Sequence, residues 1–183
     1  MVDITSEAVW TAIANENFLV VGMVSARGEA RTAGVMHTVD DGRIWFTTEA
    51  HSWKARHLAA NPGISITVPI AKRIPFVPWV KIPAATITFT GVAEILPPEQ
   101  LSEAASRALL HGLELNDDEP IIAVAVRPTG DFVTYGVGVS IMGMRDTQNA
   151  VGRAAVGASR GATAPSGTPA PTGEAVAAAS AAR

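Results

Sequence analysis

The spacing of apolar runs between Phe18 and Val137 constrains this chain more than any other feature. Phe18–Ser25, Arg31–Val39, Arg43–Thr48, Ile64–Ile70 and Ala85–Leu96 are short, rich in β-branched residues and separated by turn signals. Ile121–Arg127 and Phe132–Val137 complete the series. Such runs read as strands, and Asp40-Asp41-Gly42 between two of them favours a tight hairpin. Gly91, inside the longest run, marks a bulge or bend. Helical spacing is confined to a few places. Thr5 or Ser6 can cap a helix over Glu7–Asn15, with Val9, Trp10 and Ile13 on one face. Ser52 can cap a helix over Ser52–Ala60, which Asn61-Pro62 stops. Pro98–Leu113 is amphipathic, with Leu101, Ala105, Ala108 and Leu109 on one side. A doubly wound sheet needs strands and helices in alternation, and this order lacks it. The expected fold is mainly β, a small antiparallel barrel of six to seven strands with added helices.

The chain has 183 residues, enough for one domain with a real core. Beyond Ala154 there is no aromatic residue, and Ala, Gly, Ser, Thr and Pro dominate. That composition buries too little apolar surface to offset its ordering entropy. Residues 4–150 are therefore expected to fold and 154–183 to form a disordered tail. The chain contains no cysteine, which excludes disulfides, thiolate metal sites and a cysteine nucleophile. A net charge of −3 offers no electrostatic reason to bind nucleic acid. Phe18–Val24 and Ile121–Val126 are too short to span a bilayer, and the N-terminus shows no secretory pattern. A cytoplasmic protein is expected. Gly136-Val137-Gly138 hints at a dinucleotide loop, but the third glycine is misplaced and no strand–helix unit follows.

The polar exit from the third strand holds the candidate chemistry. Thr47 and Thr48 end Arg43–Thr48, and Ser52 and Lys54 begin the next helix, where free N–H groups and the helix dipole favour an anion. Arg31 starts the neighbouring strand, and a hairpin through Asp41-Gly42 is expected to bring it beside Thr48. Two cations, three hydroxyls and a helix N-terminus would then suit a phosphate monoester. Threonines at strand ends and a serine cap also occur with no ligand, so the same residues fit an ordinary strand exit.

Phe46-Thr47-Thr48 followed by Ser52-Trp53-Lys54 resembles the Phe-x-Thr…Ser-x-Lys signature of the pyridoxamine 5'-phosphate oxidase-like split barrels. The resemblance extends over Ala26–Arg31, the Asp41-Gly42 hairpin, Leu58–Pro62 and Gly91-Val92-Ala93, and so covers roughly residues 8–137. It implies a split β-barrel of the FMN-binding type, a homodimer with a flavin at each interface groove, and hydride transfer to or from a small-molecule substrate. By the same resemblance, Arg31, Thr48, Ser52 and Lys54 hold the FMN phosphate. Val35, Met36, His37 and Thr47 then flank the ribityl chain or ring, with Trp53 beside the phosphate. The oxidase itself carries Arg where this chain has Trp53, which points away from pyridoxamine phosphate as substrate. A deazaflavin coenzyme (F420) on the same fold is the alternative cofactor. A non-catalytic flavin- or haem-binding protein is the alternative class. The chemistry belongs to the cofactor, so no catalytic residue is named.

Among the other features, His51 and His57 are six residues apart, which is not the spacing of two ligands on one helical face, and no metal site is expected. The excursion Ala71–Pro83, broken by Pro75, Pro78 and Pro83, is expected to be irregular. It either packs over the barrel end or covers the cofactor ring. Met142 and Met144 fit adaptable packing or a contact with the partner or cofactor.

Overall fold

The computed structural model describes residues 2–70, 73–74, 77–81, 85–111, 120–140 and 142–157. Its order is β1 (Val2–Asp3), α1 (Ser6–Ala14), β2 (Phe18–Val24), β3 (Ala30–Met36), β4 (Thr38–Asp40) and β5 (Arg43–Glu49). Then follow α2 (Trp53–Ala60), β6 (Gly63–Ile70), β7 (Arg73–Ile74), β8 (Val77–Lys81) and β9 (Ala85–Leu96). A short 3-10 turn at Pro98–Gln100 leads to α3 (Glu103–Leu110), β10 (Ile121–Tyr135) and β11 (Val151–Ala155).

Pairing proceeds β11-β10-β9-β6-β2-β3 in an antiparallel path, with β1 added in parallel to β11. β10 also pairs with β5, and β5 with β4. Since β3 and β4 are joined through His37 alone, the chain closes the ring β2-β3/β4-β5-β10-β9-β6 by its own continuity. This is a split β-barrel with helices outside it, as the strand spacing required. Alternation fills the interior: β2 has Leu19, Val21 and Met23 buried, and β6 has Ile64, Ile66 and Val68. Phe132 lies edge-to-face against Trp10 and Phe89, at 5.3 and 5.2 Å between centroids, and ties α1 to the core.

The Asp41-Gly42 hairpin forms as its sequence demands. Asp41 has φ 48° and Gly42 φ 66°, the two left-handed residues that match a tight turn to strand twist. Thr5 caps α1, its Oγ1 accepting the Ala8 N–H at 3.2 Å.

Several expectations are corrected. The single strand Arg31–Val39 is two, because closing the barrel makes the chain leave β2 and join β5 at residue 37. Ile121–Arg127 and Phe132–Val137 are one strand, bent where the ladder shifts between Thr129 and Val133 around left-handed Gly130. The β9 ladders run through Gly91 without a shift, and its role is close approach: a Cβ there would stand 3.0 Å from the Arg127 carbonyl oxygen. The third helix begins at Glu103, since Leu101 is extended and Ser102 caps it by accepting the Ala105 N–H. Residues 112–119 lie outside the described part. The excursion after Ile70 contains a two-stranded pair, Arg73 opposite Lys81.

The domain boundary also moves. Val2–Asp3 and Val151–Ala155 belong to the sheet, although 154–155 carry the small residues taken for a tail. Space is short at Gly152 in the same strand: a Cβ there would meet Thr134 Oγ1 at 2.7 Å and Ile4 Cγ2 at 3.0 Å. The remainder of the expected tail, 158–183, lies outside the described residues.

Candidate functional site

The split in the barrel lies between β3 and the distal half of β5. Among the described residues, β3 pairs with β2 only, and β5 beyond Trp45 pairs with β10 only. Both strands therefore turn an unpaired edge toward this side. α2 starts there, five residues past Thr48 in sequence.

The polar exit is tightly organised. Ser52 Oγ accepts the Ala55 N–H at 3.2 Å and so caps α2. The same oxygen lies 3.1 Å from Thr48 Oγ1, either hydroxyl being able to donate. Thr48 is buried opposite Ile122, and Thr47 is half-buried opposite Ala123. The two threonines thus face opposite sides of β5, as strand geometry requires. Capping uses the Ala55 N–H, which leaves the Trp53 and Lys54 N–H groups at the helix end without intrahelical acceptors. Lys54 Nζ stands 5.7 Å from the centroid of the Trp53 ring, a cation held over an aromatic face.

The hairpin ladder does not pair Arg31 with Thr48. The β4–β5 ladder runs only from Asp40–Arg43 to Thr38–Trp45, and Arg31 pairs across β2 with Met23. It arrives at α2 by another route. A recess of about 560 Å³ is lined by Arg31 together with Trp53, Arg56 and His57 of α2, and by Ser25, Ala26, Arg27 and Glu29 of the β2–β3 turn. Trp53 and His57 meet edge-to-face at 5.3 Å. Asn61 anchors the turn, its Nδ2 donating to the Val24 and Ser25 carbonyl oxygens at 3.0 Å each. Arg27, Arg31 and Arg56 are exposed, and among the described residues none has a carboxylate partner. Arg27 and Arg56 were not singled out from the sequence, and His57 was weighed there only as a metal ligand. The usable signal was helical spacing, since Trp53, Arg56 and His57 stand at i, i+3 and i+4 and must share a face.

The remaining expected residues divide by strand alternation. Val35 and His37 point inward and are buried, whereas Met36 between them is 57% exposed. His37 Nε2 lies 3.2 Å from the Ile13 carbonyl oxygen, which suits an Nε2–H donor, and Nδ1 is buried without a partner. Burial pushes the His37 pKa below its ordinary value, with the Ile13 hydrogen bond opposing. Of these three side chains, Met36 alone faces out of the barrel.

A larger recess of about 670 Å³ lies by α1, lined by Trp10, Val39, Pro128 and Val156 among others. It sets one guanidinium, Arg127, beside the carboxylates of Glu7 and Asp41, and so offers an anion no net attraction.

Known structures share this architecture. A haem-binding protein from Mycobacterium smegmatis superposes with a TM-score of 0.59 at 18% identity, over 85% of this chain and 60% of that one. This chain thus spans under two thirds of that protein's length. HutZ, the haem storage protein of Vibrio cholerae, gives 0.53 at 16% identity over 72% and 94%. An FAD-binding protein from Mesorhizobium loti gives 0.51 at 12% identity over 67% and 87%. At such identities the likeness is one of fold. A comparison with curated proteins returns no match. The sequence profile described as pyridoxamine 5'-phosphate oxidase matches residues 5–128, which takes in α1, the split and the whole polar exit after β5. This chain belongs to the pyridoxamine 5'-phosphate oxidase family.

Proposed function

We propose that this protein is a flavin-dependent oxidoreductase that holds FMN, or a deazaflavin coenzyme bearing the same phosphate, in the split beside α2. The observation that carries this reading is the convergence of unpaired cations on the start of α2. Arg31 lines the recess there, Lys54 sits in the first turn, and no carboxylate of the described residues neutralises either. A phosphate would accept from these cations, from the free N–H groups of Trp53 and Lys54, and from the Thr48–Ser52 hydroxyl pair. The ribityl chain or ring would lie along Thr47 and the unpaired edge of β3 at Val35, Met36 and His37. Val35 and His37 would contribute backbone there, since their side chains are turned inward.

When bound, the flavin supplies hydride transfer to or from a small-molecule substrate. The residues of this chain bind it, orient it and exclude water. Trp53 removes the guanidinium that the oxidase carries at this position, so the substrate is not proposed to be pyridoxamine phosphate. The reading includes a homodimer. Phe18 and Met36, opposite each other on β2 and β3, are 42% and 57% exposed, and Val24 extends the same strand at 39%. A second copy covering this edge would bury them and wall the cofactor groove. No helix among the described residues is long and apolar enough to cross a membrane, and the reading includes a cytoplasmic location.

The visible spectrum of the purified protein tests the cofactor. Flavin, deazaflavin and haem absorb differently, and a colourless protein that fails to take up added FMN or deazaflavin would remove the proposal. Lys54→Ala tests the cradle. It is expected to weaken FMN about tenfold or more while leaving riboflavin, which lacks the phosphate, nearly unchanged. Equal weakening of both would take Lys54 out of the phosphate site.

A further inference from the structure

The recess beside α2 carries more positive charge than one phosphate needs. Arg27, Arg31 and Arg56 all line it, together with Trp53 of the first turn of α2. Three guanidiniums face one carboxylate, Glu29, and none of the three forms an ion pair among the described residues. Elsewhere Arg43, Arg107 and Arg153 each hold a carboxylate, of Glu94, Glu103 and Asp131. A phosphate monoester carries about −2 at most, and Arg31, Lys54 and the free N–H groups of α2 already answer it. Arg27 and Arg56 are left to a different anionic group. Trp53 and His57 form an aromatic wall of the recess, and His57 Nε2 is shielded from solvent with no protein partner. The volume, about 560 Å³, exceeds what a lone phosphate fills.

We propose that this recess takes a second anionic group of the same cofactor, beyond the first phosphate, so that the site selects flavin-type cofactors with an extended anionic tail over bare FMN. The proposal rests on the flavin reading and specifies one end of its ligand. A second phosphate and a tail carboxylate share the required chemistry, since guanidinium pairs with either in bidentate fashion.

Titration of the intact protein with riboflavin, FMN, FAD and F420 separates the possibilities. The expected result is that FAD or F420 binds roughly threefold to tenfold more tightly than FMN, the modest size reflecting exposed guanidiniums. FAD as the tighter ligand identifies a phosphate, and F420 a carboxylate tail. In the double variant Arg27→Gln/Arg56→Gln that advantage should vanish while FMN affinity holds, and added salt should erode the wild-type advantage in parallel. Both positions are exposed, so thermal unfolding should not move. If FMN binds and neither tail adds affinity, the proposal is overturned and the flavin reading stands. If the double variant weakens FMN and the tailed cofactors alike, the guanidiniums act as a general field and the proposal is again overturned. If none of the four binds, both fall together.

Discussion

Two recesses of this molecule, one by α1 and one by α2, invite opposite conclusions from size and from charge. The larger one, by α1, has Trp10, Val39, Pro128 and Val156 on its walls, with Arg127 balanced by Glu7 and Asp41. The smaller one, by α2, has three unpaired guanidiniums against Glu29 and is lined by the β2–β3 turn, Arg31 of β3 and the first turns of α2. Space is a by-product of packing helices on a curved sheet. Unneutralised charge gathered in one place is not, because exposed guanidiniums repel each other and give nothing to stability unless something occupies them. The contrast fits α1 and its recess to holding the barrel together, and it supports our proposal that the α2 recess binds the cofactor.

The largest expected effect tests the structural half. Phe132 is fully buried and joins Trp10 of α1 to Phe89 of β9. Phe132→Ala should cost about 3–5 kcal/mol, read from the urea midpoint. At a temperature where the variant remains folded, the preference of FMN over riboflavin should persist. A change in that preference would break the division between the two regions.

Ser52→Ala comes next. It removes the cap of α2 and deprives the buried Thr48 hydroxyl of its partner, so about 0.5–2 kcal/mol of stability should be lost. Unlike Phe132→Ala, it should also weaken FMN more than riboflavin. Loss of stability alone would mean that Ser52 only caps.

An intermediate effect concerns His37 at the junction of the two regions, where β3 becomes β4. Its pKa is lowered by burial, so the unfolded chain takes up a proton at a higher pH than the folded one. Stability is then full above about 6.5, the ordinary histidine value, and declines as pH falls toward the lower folded value. Unfolding midpoints measured between pH 8 and pH 5, with pH 8 and pH 5 as approximate limits around that value, should show the decline. His37→Gln should flatten it. A profile unchanged by the substitution would assign the decline to other groups.

The smallest effect is expected at a neutralised arginine. Arg153 pairs with Asp131 at 3.6 Å and both are well exposed, so Arg153→Gln should change stability by about 0.5 kcal/mol or less and leave cofactor affinity alone. A loss of affinity there as large as that from Lys54→Ala would show that charge anywhere on the surface matters, and the contrast between recesses would lose its force.

Local rules in the sequence determined much of this protein. β-branched runs with period-two burial had to be strands, Asp41-Gly42 had to turn, Ser52 had to cap and the first cap was narrowed to Thr5 or Ser6, because each depends on neighbours only a few residues away. The strand exit after Phe46 could be recognised as a candidate anion site for the same reason, since Thr48, Ser52 and Lys54 lie within one turn and one helix start. What failed was set by particular strand pairings across the sheet. Barrel closure split Arg31–Val39 at His37 and carried Arg31 to Met23, away from the hairpin that was expected to deliver it to Thr48. Pairing with Phe132 and Asp131 drew Ala154 and Ala155 into β11, which composition alone cannot distinguish from a tail. The gathering of Arg27, Arg31 and Arg56 around one recess likewise depends on β2, β3 and α2 meeting in space. Chain neighbours and helical or strand period are written in the sequence, whereas the choice of strand partner is a long-range energy that only the closed barrel resolves.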